Sequence, residues 1–406
     1  MAAAPALTNK VLNATVIVTA LGYFIDLFDY YIFLITRITV LKDFGLDGAA
    51  LTDTGLYLVN LQFGGLLVGG LIFGVLGDKI GRKQSLLGSI LLYSLATLAS
   101  GLTHDLDTFA VLRFIAGVGI AGEVGVGVTM VAETMDKNRR GLGVTVFIGV
   151  GLLGVVAAAL ASEVLHWRTC YIVGGLAGLA LLVTRIWVME AQMFTKLDKG
   201  VVRGSFRLLF SSRENIRRYV LCIIMAIPVF FGVSIIATLS PELSTALGAN
   251  PPASVSTTMV IAYTMMVLGE IVIGLLSQYL QSRRKVIAVF LALMLLALAI
   301  GFNSGSLTAT GYYVLAAIVG FFMGYWVNFI ALSAEQFGTN IRSLAANTIP
   351  NFARGSVILI NTAFLALKDD GVVYAAGVVG FICILSALFA VWKVPETFGK
   401  DLDYVD

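Results

Sequence analysis

Apolar residues fill this chain in long blocks, each ended by a short polar or charged knot. Reading windows between charged, Gly, Pro and Asn breaks predicts twelve spans. They run near 12–36, 54–77, 84–103, 108–132, 142–162 and 168–189, then near 218–239, 256–277, 286–303, 312–333, 344–367 and 371–392. A run of about 20 apolar residues is the length of helix that crosses the roughly 30 Å hydrocarbon core of a bilayer. The expected fold is therefore an all-α integral membrane protein. Residues 1–190 form an N-terminal six-helix bundle, 191–216 a linker, and 217–406 a C-terminal six-helix bundle.

Composition agrees. Of the 406 residues, 58% are hydrophobic and 13% charged, whereas soluble proteins carry roughly 25% charged residues. So little charge could not cover a soluble fold of this size. The 43 glycines suit close approach of membrane helices, and Gly65–Gly69 and Gly70–Gly74 both have the GxxxG spacing. Cys170, Cys222 and Cys383 show no metal or redox spacing and are expected to pack. "MAAAPALTNK" has one basic residue, so no cleavable leader is expected. His104 and His166 fall in loops.

Charge sorts by side. If the loops alternate, twenty of the 27 Lys and Arg lie on the face shared by the termini and the linker, against Arg37, Lys42, Arg168 and Lys368 opposite. The positive-inside rule then puts both termini in the cytoplasm and the protein, multi-pass, in the cell membrane. Basic and apolar residues interleave in "VVRGSFRLLFSSRENIRR", which reads either as an amphipathic helix on the inner leaflet or as a solvated linker helix.

The halves repeat. "GVLGDKIGRKQSLL" from Gly74 returns as "GLLSQYLQSRRKV" from Gly274, and "AETMDKNRRG" from Ala132 returns as "AEQFGTNIR" from Ala334. Parallel six-helix repeats suit a rocking secondary transporter.

The first of these motifs, Gly74 to Lys83, resembles the loop 2–3 signature of the major facilitator superfamily. "RFIAGVGIAGE" (Arg113–Glu123) resembles its fourth-helix motif. "AETMDKNRRG" and "PETFGKDL" (Pro395–Leu402) are similar to elements of its metabolite:proton symporter and sugar-porter branches. The resemblance implies two pseudo-symmetric six-helix bundles and a gating latch. In that latch Asp78 pairs with basic groups or with the start of a C-half helix. Arg82 and Lys83 engage the end of the fourth helix at Glu133, in the motif that also holds Arg140. Gln278 stands where Asp78 does, which predicts a weaker second latch.

Ionisable residues inside spans are costly and point to function. Asp26 and Asp29 lie at i and i+3 on one helix face, and their setting in "GYFIDLFDYYIF" resembles the first helix of proton-coupled aromatic-acid and phosphate symporters. Two such carboxylates resist carrying two negative charges together, so the pair can load and release a proton. Arg113 falls at the depth of Asp29, where a structural salt bridge between them is the plain reading. Glu123 either takes a proton or makes a fixed hydrogen bond. Glu270 reads as part of the second latch. In span 11, Asn347, Asn351, Arg354 and Asn361 make one stripe; a guanidinium among amides suits a carboxylate or phosphate, unless the stripe packs against a polar helix. Asn328 and Tyr30 join the candidate binding residues, with Tyr31, Tyr325 and Trp326 as further aromatics.

The paired glutamines of sugar porters and the Gly-Pro motif of drug antiporters are absent from spans 7 and 5. No phosphate-cradling loop and no nucleophile–base set occurs, so an enzyme is not expected. No cofactor or metal and no nucleic-acid partner is expected, and one chain suffices as a monomer. The favoured expectation is a proton-coupled symporter of a small organic or inorganic anion. A proton-independent facilitator or exporter of a neutral or amphipathic solute is the alternative, and a transport-fold receptor is a third class.

Overall fold

The computed structural model describes residues 14–79, 82–122, 140–192, 210, 212–338 and 341–399. Every predicted span carries a helix there. In the first half these are α1 (Ala14–Asp43), α2 (Ala49–Lys79), α3 (Arg82–Leu102), α4 (Leu106–Ile120), α5 (Arg140–Val164) and α6 (Trp167–Gln192). In the second they are α7 (Arg213–Phe231), a π-helical turn Gly232–Ala237, the short α8 (Ser240–Ala246), α9 (Val255–Tyr279) and α10 (Arg283–Phe302). There follow α11 (Ala309–Met323), α12 (Trp326–Glu335), α13 (Arg342–Leu367), a 3-10 turn Lys368–Asp370 and α14 (Val372–Lys393). The described residues contain no strand. Ten stretches among them are long and apolar enough to cross a membrane. The other two predicted spans are α4, whose described part is short, and α13, whose amides and arginine dilute its hydropathy.

Short polar side chains start the helices where the sequence leaves an apolar block. Asp105 accepts the Thr108 N–H at 2.8 Å and caps α4. Ser212, Ser254, Ser282 and Thr308 cap α7, α9, α10 and α11 in the same i+3 manner, occupying amides that the helix leaves without partners. Gly45 and Gly48, both at positive φ, turn the chain between α1 and α2. The first helix outruns its predicted end at residue 36, so Arg37, expected in a loop, lies inside α1 and is 0% exposed.

Contacts divide the chain into two units, Met1–Val202 and Arg203–Asp406. In the first, α1 packs on α5, α2 on α4 and α3 on α6. In the second, α9 packs on α11, α10 on α14, and α7 on α13 and α14. Counted by span, the pairs 2–4 and 3–6 return as 8–10 and 9–12, and 1–5 returns as 7–11. The duplication seen in the motifs thus extends to the helix packing.

Glycine makes the tightest of these contacts possible. A Cβ on Gly117 of α4 would sit 2.1 Å from the Gln62 carbonyl oxygen of α2, and one on Gly65 would meet the Phe114 carbonyl at 2.1 Å. On α5, Gly154 gives the same clearance to the Phe24 carbonyl of α1. Because the backbones touch, the polar side chains of α1 are held at a fixed distance from their neighbours.

Substituting Gly117→Ala must push α2 and α4 apart. Overpacking of this kind costs about 1–3 kcal/mol, read as a lower unfolding midpoint of the purified protein in mild detergent. Gly88→Ala, on α3 with nothing within 4 Å of the added carbon, is the control and is expected to leave the midpoint unchanged or slightly raised.

Candidate functional site

The first unit gathers a buried ionic cluster from four helices. Asp29 of α1 and Arg113 of α4 are 1% and 0% exposed, and Arg113 Nη1 lies 3.6 Å from Asp29 Oδ1. That distance is an ion pair and too long for a hydrogen bond. The Thr97 hydroxyl of α3 stands between them: it donates to the Asp29 carboxylate at 2.6 Å and accepts from Arg113 Nη2 at 3.3 Å. Ser100, one turn along α3, accepts from the same Nη2 at 2.7 Å. The guanidinium carbon lies 4.8 Å from the Tyr171 ring centre and 5.6 Å from that of Phe109, within cation–π range. Two opposite charges in an apolar bundle are tolerable only when paired and hydrogen-bonded. The pairing is met, and the hydrogen bonding is met at Asp29 and at Arg113 Nη2, while Arg113 Nε and Nη1 make no hydrogen bond. A proton on Asp29 would remove the attraction and leave Arg113 held by hydroxyls and rings. Asp26, one turn back, is likewise buried.

Sequence reading missed Thr97 and Ser100. Their signal is present: Ser85, Ser89, Tyr93, Thr97 and Ser100 recur at helical spacing in span 3. It also missed two more buried cations. Arg37 reaches the Leu51 carbonyl with Nη1 at 3.2 Å, and Arg185 of α6, 3% exposed, reaches the Thr19 carbonyl at 3.4 Å. Away from these, Arg168 joins the loop ends, donating to Asp43 at 3.0 Å and to the Thr103 carbonyl. His104 and His166 are exposed.

In the second unit Arg354 is 5% exposed and donates from Nη1 to Asn351 Oδ1 at 3.1 Å. The expected stripe divides here. Asn351 and Arg354 stay together, whereas Asn361 accepts from Ser234 of the π-helical turn at 2.5 Å and serves packing. Asn328, buried on α12, donates to the Ile273 carbonyl of α9 at 3.4 Å. Tyr30 belongs to the first unit, where its ring packs against Tyr31 and Phe63 at 4.6 and 5.2 Å. The side chain of Asn347 lies outside the described residues.

Two interruptions frame this region. Pro228 lacks an amide for the ladder of α7, and the π-helical turn follows it. Tyr312 braces that turn, donating to the Ile236 carbonyl at 2.6 Å. The tenth span breaks at Gly324 and Tyr325, between α11 and α12, and the Tyr325 hydroxyl donates to the Met225 carbonyl of α7 at 2.9 Å. Irregular backbone within a membrane helix must find such partners.

The second copy of the motif is fully visible. Arg283 forks onto Glu335 with Nε–Oε2 at 2.8 Å and Nη2–Oε1 at 2.7 Å, the pairing that the resemblance implies for Arg82 and Lys83 with Glu133. Thr397 donates to Glu335 at 2.7 Å. Glu396 caps α10 through the Arg283 and Arg284 amides at 3.1 and 3.2 Å and takes the Ser282 hydroxyl. Burial pushes the Glu396 carboxyl up, but the hydrogen bonds from Ser282, Phe398, Arg283 and Thr397 outweigh it and hold it below its ordinary value. Gln281 has φ 47 at the place of Gly81, a left-handed position that favours glycine. Glu270 is not part of this network, contrary to expectation, because Arg283 is taken by Glu335. The side chains of Asp78, Arg82, Lys83 and Arg140, and all of Glu123 and Glu133, lie outside the described residues.

Ten stretches of the described residues are long and apolar enough to cross a membrane, and the first unit holds a buried ion pair. The sequence profile of the Major Facilitator Superfamily matches residues 19–368, and the chain belongs to that superfamily, as a transporter of small molecules and not an enzyme. It is similar to the niacin transporter NiaP of Acinetobacter baylyi, 26% identical over 427 residues that take in 96% of this chain and 95% of the relative. It is also similar to the cis,cis-muconate transport protein of the same organism, 26% identical over 368 residues, 86% of this chain and 85% of the relative. Among solved structures, that of the proton:xylose symporter XylE matches with TM-score 0.71, covering 96% of this chain and 97% of that one at 18% identity. The likeness is one of fold, the two-domain, twelve-helix major facilitator fold.

Removing either member of the Asp29–Arg113 pair strands the other. Asp29→Asn and Arg113→Gln are each expected to lose about 3–5 kcal/mol of stability, and the double variant less than the sum, in a double-mutant cycle of unfolding midpoints. Glu396 predicts a pH dependence. Its lowered value makes its contribution present above the ordinary 4.5 and lost as pH falls through the folded value. Stability profiles of wild type and Glu396→Gln should therefore converge below that range and separate above it.

Proposed function

We propose that this protein is a proton-coupled symporter of a small carboxylate, working by alternating access as a monomer in the cell membrane with both termini in the cytoplasm. The carrying observation is the Asp29–Thr97–Arg113 contact. It is an ion pair at 3.6 Å with a hydroxyl interposed, so protonation of Asp29 has a large effect on Arg113 while the hydroxyls keep the arginine solvated. Asp26, one turn away on the same face, gives the proton a second acceptor, and Glu123 is assigned to the same path.

The anion is assigned to Arg354 and Asn351, with Asn347 and Asn328 of the same unit as further contacts; Tyr30, the remaining candidate, belongs to the first unit. A planar guanidinium oriented by an amide fits a carboxylate. Niacin and cis,cis-muconate, the solutes in the names of the two relatives, are both carboxylates, which narrows the expected anions toward organic acids. Asp78, Arg82, Lys83, Glu133 and Arg140 are assigned to gating by analogy with the Arg283–Glu335 fork. A proton-independent facilitator is the second reading, in which the Asp29–Arg113 ion pair is a fixed structural contact.

The test is uptake into proteoliposomes of labelled nicotinate, muconate, phosphate and xylose, with an inward proton gradient imposed or collapsed. Wild type is expected to accumulate a carboxylate only under the gradient. Asp29→Asn should abolish accumulation yet retain exchange of labelled for unlabelled solute. Arg354→Gln should raise KM about 10- to 100-fold, the equivalent of one hydrogen bond to a charged group at ~1.5–3 kcal/mol. Equal uptake with and without the gradient, tolerant of Asp29→Asn, would leave the facilitator.

A further inference from the structure

Glu270 is the one acidic or basic residue of α9, whose sequence from Val255 to Tyr279 is, Gln278 aside, otherwise apolar or hydroxylic. Fifteen residues from the start of the helix, it is too deep to be part of a loop. Its Oε1 is enclosed and makes no hydrogen bond, and Glu270 has no ion pair among the described residues. The residue as a whole keeps partial exposure. One oxygen is thus enclosed and without a partner.

The backbone that carries this side chain is tightly packed. A Cβ on Gly324 would lie 2.5 Å from the Glu270 nitrogen, and one on Gly269 would lie 1.9 Å from the Phe321 carbonyl oxygen. The helix that presses on Glu270 is therefore the interrupted one, and the contact falls at its break between Met323 and Trp326.

No compensating charge comes from the elements packed on α9. On α11 the titratable groups are Tyr312, which donates to the Ile236 carbonyl, and Tyr313, which accepts the Ser254 amide at the far end of α9. On α12 Glu335 is held by Arg283, and Tyr325 at its start donates to Met225. Arg283, Arg284 and Lys285 sit in the first turn of α10, with Arg284 donating to the Val391 and Trp392 carbonyls. The π-helical turn has no titratable group, and α8 has Glu242, a like charge. On α9 itself Tyr263 and Tyr279 complete the set.

An ionised carboxylate without a counter-charge inside a membrane bundle costs at least ~2.5–3.5 kcal/mol, and the neutral acid avoids that cost. We propose that Glu270 is a proton-binding site of the C-terminal unit, loaded in the conformation seen here and unloaded when the break between α11 and α12 shifts. The step is simple: a carboxylate oxygen gains a proton from water and later returns it, with no other bond made or broken. It rests on the symport reading above and adds a second proton site to it, in the unit that holds Arg354.

Two measurements separate this inference from that reading. The first is infrared difference spectroscopy of reconstituted protein, wild type minus Glu270→Gln. A carboxylic C=O band at neutral pH, missing in Glu270→Gln, restored in Glu270→Asp and titrated away as pH rises, is expected. No such band, or one that no pH removes, would overturn the proposal whether or not symport holds. The second measures protons and labelled nicotinate entering proteoliposomes together. Glu270→Gln should keep nicotinate exchange near the wild-type rate but carry fewer protons per nicotinate and accumulate less. An unchanged proton ratio with normal uptake would overturn the assignment. A wild type that moves nicotinate without protons would sink the symport reading, and the infrared band still decides Glu270.

Discussion

A charge inside an apolar bundle must be neutralised where it sits, and the first unit is organised around that requirement at Arg113. The guanidinium is fully enclosed, so its carboxylate, its hydroxyl acceptors and its two aromatic faces must come from different helices. Asp29 from α1, Thr97 and Ser100 from α3, Phe109 from its own turn and Tyr171 from α6 meet there. Moving any of these helices by an ångström or two would unsolvate the cation. The cluster therefore ties the helices together.

The second unit meets the same constraint with less charge and more irregular backbone. A π-helical turn, a proline and a broken helix interrupt the backbone ladder, and Tyr312 and Tyr325 donate to the Ile236 and Met225 carbonyls while Ser234 donates to the Asn361 side chain. Breaks of this kind permit bending at low cost, because the ladder is already interrupted. At the other end of this unit the opposite logic holds. The Arg283–Glu335 fork and the Glu396 cap on α10 make a rigid, charge-rich corner where water can help solvate it. Stiff corner and soft middle together suit a half that must change shape without coming apart.

Much of the fold was legible because membrane burial writes itself into long apolar blocks. All twelve spans carry helices, and the paired motifs correctly announced a duplicated packing order. The Asp29–Arg113 contact was legible too, since helical rise places the two at one depth. Thr97 and Ser100 were harder to see, as hydroxyls at helical spacing also occur in helices that serve only packing. Arg37 was misplaced into a loop because α1 continues past the window in which its hydropathy peaks. Asn361 looked like Asn351 in sequence; only the arrival of Ser234 from another helix separates a packing amide from one beside Arg354.

The sequence by itself determined what each stretch must avoid: apolar blocks avoid water, and basic knots avoid the hydrocarbon. That preference is local, carried by side-chain chemistry and helical periodicity, and so needs no knowledge of neighbours. Which buried charge is answered, and by what, was decided by tertiary structure. Arg113 has a carboxylate within 3.6 Å, whereas the Oε1 of Glu270 is buried without a hydrogen-bond partner. Both are single charged letters in an apolar run. Their difference arises from which helix crosses at that height, a property of packing between segments that lie tens of residues apart.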